Sequence, residues 1–195
     1  MKEKINILYI DDDRDEAISE YLDDFYRNEQ YDIIYQEVEF DRQKGYEGLL
    51  DNKIVATANI ILIDSKLFEN DSVNDSGKFS GEEFRMILRK IYPFIEVLVI
   101  SQNGENETYD IIPKYRSGTS ESSEDYYNRV LKNKIDDGIK RVITFRNISR
   151  KLENNKDIEK LLVEKAMDSL NGVDGYNDLS KIDIDHLIDA FKSIK

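Results

Sequence analysis

The chain has 195 residues, enough for one well-buried core and a short appendage, and carries 41 acidic against 28 basic side chains, a formal net charge of -13. That excess excludes a general DNA- or RNA-binding surface, because such affinity comes largely from Lys and Arg meeting phosphates. The chain contains no cysteine, which excludes disulfides, thiolate catalysis and zinc-thiolate sites.

In chain order, Ile7-Leu8-Tyr9-Ile10 predicts a first strand over 5–10 that stops at Asp11-Asp12-Asp13. Ala17, Ile18, Tyr21, Leu22 and Phe25 recur at helical spacing, so 14–27 reads as an amphipathic helix with acidic residues at its start, where the helix dipole favours them. Tyr31-Asp32-Ile33-Ile34-Tyr35 reads as a second strand, and 41–52 as a helix weakened by Gly45 and Gly48. Ile60-Ile61-Leu62-Ile63 is a run of branched aliphatics that ends abruptly in Asp64. Such a run suits a central strand of a parallel sheet, buried on both faces.

A polar loop follows over 69–80, and Ser80 with Glu83 forms a capping box for a helix carrying Phe84, Ile87, Leu88 and Ile91, which stops near Pro93. Val97-Leu98-Val99-Ile100 is the fourth strand and ends at Ser101. The next stretch, 102–108, is too short and polar for a full crossover helix, which normally needs a dozen or more residues. Tyr109-Asp110-Ile111-Ile112 then leads through Pro113 to Lys114, and the proline places this fifth strand at a sheet edge. A long helical pattern starts near Ser122, with Gly138 as its expected bend, and two shorter helices follow at 157–170 and 183–194. The organisation predicted is a unit over 1–153, closed by a long helix, and a helical extension over 154–195. The strand-helix alternation implies an α/β, doubly wound parallel sheet. Ligands of such sheets collect at the carboxyl ends of the strands, where the carboxylates, Ser101 and Lys114 fall.

The four strand-end motifs, in this order, resemble the receiver domain of two-component response regulators over roughly the first two-thirds of the chain. The resemblance implies a five-stranded sheet of order 2-1-3-4-5, with Asp64 as phosphoacceptor. It also implies that Asp11, Asp12, Asp64 and the backbone carbonyl of Lys66 hold magnesium. Ser101 and Lys114 would contact the phosphoryl oxygens, and the expected partner is a histidine kinase or a phosphotransfer protein. The chemistry suits the residues, since magnesium takes a few carboxylate oxygens and phosphoryl transfer needs positioned charge. The sequence departs from the family in three respects. Tyr115 follows the lysine where the family has proline, the helix between strands 4 and 5 is shortened or missing, and the loop after Asp64 is enlarged. Output through protein contacts on a rebuilt surface is the expectation.

Competing readings attach to the same residues. The acidic triplet also suits a solvated turn capping the first helix, and Ser101 ordinary turn chemistry. A degenerate receiver acting as a constitutive adaptor is the alternative function. A haloacid-dehalogenase-like phosphatase, with Asp11 as nucleophile and Asp13 as acid/base, is a third. His186, the only histidine, reads as exposed surface. The aliphatic stripe of the long helix reads first as core and second as a homodimer seam. No window has membrane-spanning length and no apolar leader opens the chain, so a cytoplasmic protein with neither membrane nor nucleic-acid partner is expected.

Overall fold

Parity along the strands decides which layer each side chain enters, because successive residues of a strand point to opposite faces. In the computed structural model, which describes residues 2–68, 80–102 and 111–153 together with Ile182 and Asp185, five strands form one parallel sheet in the order β2-β1-β3-β4-β5. They are β1 (Glu3–Asp11), β2 (Tyr31–Glu39), β3 (Ile60–Asp64), β4 (Glu96–Ser101) and β5 (Ile112–Pro113). Leu8, Ile10, Ile61, Ile63, Val97 and Val99 enter one core. Their neighbours Ile7, Tyr9, Ile60, Leu62, Leu98 and Ile100 enter the other. β3 and β4 are buried along their whole length, as expected of continuous apolar runs between two helical layers. The doubly wound α/β arrangement and the edge position of Pro113 are as the sequence predicts.

One layer contains α2 (Gly45–Leu50), α3 (Lys53–Thr57) and α4 (Gly81–Ile91). The other contains α1 (Glu16–Glu20), α5 (Ser123–Val130) and α6 (Lys132–Glu153). The capping box forms as predicted, with the Ser80 hydroxyl accepting from the Glu83 N–H and Glu83 accepting from the Ser80 N–H.

Three helices differ from the sequence expectation. The first is regular α-helix only to Glu20 and continues as a wider π turn over Tyr21–Phe25, closed by the Tyr26 N–H on the Tyr21 carbonyl (2.7 Å). Tertiary hydrogen bonds account for the widening: Tyr21 Oη donates to Asn128 (3.0 Å) and Tyr26 Oη to Asp136 (2.7 Å), so both rings face the α5–α6 layer. The helix expected over 41–52 is a turn at Asp41 followed by α2, and Asn52 then starts α3 by accepting the Ile54 N–H (2.9 Å). The long helix breaks at Leu131 and runs straight through Gly138. A Cβ at Gly138 would stand 3.3 Å from Ile60 Cδ1 and 3.6 Å from Glu96 Cβ, so this glycine serves close approach to the sheet and does not divide the helix.

The loop over 69–79, the connection over 103–110 with Tyr109 and Asp110, the paired tail helices and His186 lie outside the described residues. Among the described residues no helix is long and apolar enough to cross a membrane. From the tail, Asp185 accepts the Tyr46 hydroxyl of α2.

The N-terminus of α4 touches the end of β3. The Gly81 N–H donates to the Ser65 carbonyl (2.9 Å), and a Cβ at Gly81 would lie 2.3 Å from the Asp64 carbonyl oxygen, a backbone atom. Gly81→Ala is therefore expected to force helix and strand apart and to cost about 1–3 kcal/mol, the usual range for overpacking. Urea unfolding of the variant beside Gly138→Ala, whose added Cβ comes no nearer than 3.3 Å and meets the tip of the Ile60 side chain, checks this; equal midpoints would contradict it.

Candidate functional site

β1 and β3 pair in parallel with Ile10 opposite Ile63, so the residues that follow, Asp11 and Asp64, emerge together at the carboxyl edge of the sheet. Asp12 continues from β1, and its carboxylate joins theirs: one oxygen from each of Asp11, Asp12 and Asp64 lies within 4.8 Å of the others. Both Asp11 and Asp64 are only 6% exposed. Asp13 faces solvent, and its N–H donates to Asp11 Oδ1 (3.1 Å). The first helix is capped by Asp15, whose Oδ1 accepts from the Ala17 and Ile18 N–H groups (3.0 and 3.2 Å). The triplet is thus released from the capping role that a sequence reading allows it.

Two buried carboxylates at one strand edge require a cation, and Lys114 supplies it. Its Nζ stands 2.7 Å from Asp11 Oδ2 and 2.8 Å from Asp64 Oδ1, and the residue is itself 6% exposed. The register delivers it: Ser101 of β4 lies opposite Pro113, and the Lys114 N–H donates to the Ser101 carbonyl (2.8 Å). The altered flank is held by α5. Tyr126 Oη donates to the Pro113 carbonyl (3.1 Å), and the Tyr115 N–H donates to Tyr127 Oη (3.0 Å). Two tyrosines thereby fix the peptide groups on either side of the lysine. Ser101 is buried at the end of β4, next to the edge where Asp64 ends β3. Lys66 enters through its backbone N–H, which donates to Asp64 Oδ2 (2.7 Å). Its carbonyl is assigned to the site by resemblance alone.

One ammonium between two carboxylates leaves negative charge in surplus. Burial pushes the Asp64 carboxyl above its ordinary range; the Lys114 hydrogen bond and charge pull it back, and Asp11 pushes it up again. For Lys114, burial pulls downward, but the hydrogen bonds to Asp11 and Asp64 outweigh it and hold the ammonium above its usual value.

Two side chains at the site carry no motif in the sequence. Tyr9, on the same strand face as Asp11, donates its hydroxyl to Asp11 Oδ2, the oxygen that Lys114 also holds. A tyrosine in an aliphatic strand reads as core, and only its position two residues before a strand-end acid hints at the contact. Arg42, in the turn after β2, pairs with Asp12 Oδ2. An arginine on a turn reads as solvated surface.

The donor set fits a hard divalent cation, since all three side chains offer carboxylate oxygens. Magnesium ligands at ~2.1 Å stand about 3 Å apart when cis and about 4.2 Å when trans, so the three oxygens, all within 4.8 Å of one another, would draw together around an ion. No protein-family model, curated protein or solved structure matches the chain. The architecture and the acidic cluster thus stand on this chain's own geometry.

Replacing Lys114 by Met should leave two buried carboxylates without a cation and cost about 3–5 kcal/mol at neutral pH. The Asp64 carboxyl, already raised by burial, rises further without the lysine, and a raised acid favours the folded state below its unfolded pKa and loses that advantage as pH climbs. The deficit should therefore shrink as pH falls through the carboxylate range. Urea unfolding of both proteins at neutral and acid pH measures it, and a deficit that grew toward acid would refute the assignment.

Proposed function

We propose that the chain is a receiver-type phosphoacceptor in which Asp64 takes a phosphoryl group with the help of a divalent cation and signals through protein contacts. The observation that carries this reading is the Lys114 bridge between Asp11 and Asp64, with Asp12 in reach of the same cation, at the carboxyl edge of a 2-1-3-4-5 sheet. A magnesium ion held by Asp11, Asp12, Asp64 and the Lys66 carbonyl would supply charge neutralisation for the phosphoryl oxygens.

The chain's own residues perform the rest. An ionised Asp64 oxygen attacks phosphorus in line with the leaving group, and the bond from phosphorus to the phosphohistidine nitrogen or acyl oxygen breaks with its electron pair on the leaving group. The Lys114 Nζ, already on Asp64 Oδ1, would hold an incoming phosphoryl oxygen, and the Ser101 hydroxyl would donate to another. Tyr9 keeps Asp11 in place through Oδ2, the oxygen that Lys114 also holds. Donors of this kind belong to a histidine kinase, a phosphotransfer protein or a small acyl phosphate.

A second reading, a constitutive adaptor, draws on a different observation: Asp11, Asp12 and Asp64 each already have a side-chain or backbone donor from the protein. The phosphatase reading is weakened because Asp11 Oδ2 is held by both Tyr9 and Lys114 while Asp13 faces solvent.

Incubation with acetyl phosphate and magnesium should add one phosphoryl group by intact mass, and Asp64→Asn or a chelator should abolish it. Neither an adduct nor beryllofluoride binding would turn the assignment to the adaptor.

A further inference from the structure

Arg42 is presented to the site by a built turn. The Phe40 N–H donates to the Asp11 carbonyl (2.9 Å) and its ring is buried, so the turn is tied to the end of β1. Asp41 then accepts the Gln43 N–H on its side chain (2.9 Å) and the Lys44 and Gly45 N–H groups on its carbonyl (3.0 Å each). Gly45 closes the turn at φ +58, a conformation that glycine adopts freely. Between these anchors the Arg42 guanidinium reaches Asp12 Oδ2, with its side chain 49% exposed and that of Asp12 8% exposed.

The guanidinium is therefore a solvent-facing cation on one of the three carboxylates that would hold a divalent ion. Both compete for the same negative charge. A half-exposed ion pair is weak because water screens it, whereas a carboxylate in the shell of a divalent cation faces twice the charge at closer range. Exchange therefore favours the cation, at a cost in affinity.

We propose that Arg42 is a displaceable counter-ion latched on Asp12, which a divalent cation must release before the site is loaded, so that it sets the cation concentration at which the site becomes competent. This rests on the reading of Asp11, Asp12 and Asp64 as a cation site. Arg42 touches neither Asp64 nor Lys114, so it is a positioning residue acting through Asp12.

Manganese binding, followed by the loss of the free-ion electron paramagnetic resonance signal, tests this without any phosphoryl transfer. Arg42→Ala and Arg42→Gln should each bind manganese about three- to fivefold more tightly than the natural chain, the upper part of the range for a screened pair. Arg42→Lys should fall between, because a lysine offers one point charge in place of a fork. Arg14→Ala removes a positive charge at the same edge that pairs with Glu37 instead (3.1 Å), and it should leave the affinity within about twofold. Binding by the Arg42 variants with none by the natural chain would be the strongest support. Equal or weaker binding in Arg42→Ala and Arg42→Gln overturns the latch while leaving the cation site standing. A gain matched by Arg14→Ala overturns it in favour of general charge, and no binding by any chain overturns the latch and the cation site together.

Discussion

Burying the ends of two adjacent parallel strands is tolerable here because one ammonium answers both of the acids they carry. Lys114 reaches Asp11 and Asp64 from the short edge strand β5, so the register of β5 on β4 serves the centre of the sheet as well as its edge. Removing that cation would leave charge without water or partner, the costliest arrangement in a protein interior. The two-residue strand, the tyrosines of α5 and the Ser101 carbonyl all converge on placing one side chain.

The cluster is balanced within a narrow margin. Three carboxylates face Lys114 and, more loosely, Arg42, and burial, with the Asp11 charge behind it, holds the Asp64 carboxyl above its ordinary range in spite of the lysine. The surplus of negative charge is what the proposed cation site would draw on. The protein keeps the acids folded with its own donors, yet stops short of neutralising them.

The parts of this arrangement that were legible in the sequence are those where a single property dominates. Continuous aliphatic runs announce strands buried on both faces, and an acid or lysine directly after such a run must lie at the sheet edge, so Asp11, Asp64 and Lys114 could be placed together. What stayed hidden depends on partners distant in sequence. The widening after Glu20 follows from tyrosine hydroxyls bonded to Asn128 and Asp136, more than a hundred residues away. Gly138 looks like a helix breaker until Ile60 and Glu96 are seen beneath it. Tyr9 and Arg42 look like core and surface respectively, because their meaning lies in one contact each. The peptides on either side of Lys114 are likewise held from another helix, by Tyr126 and Tyr127.

The bare contact between Gly81 and the Asp64 carbonyl has a mechanical side. With no side chain interposed, the end of β3 and the first turn of α4 meet backbone to backbone, and the helix beyond is a rod of eleven residues, about 16 Å long. Nothing can slip between strand end and helix there, so the Asp64 backbone and the start of α4 are fixed together, and the buried face of the helix, from Phe84 down to Ile91, takes its bearing from the carboxylate edge.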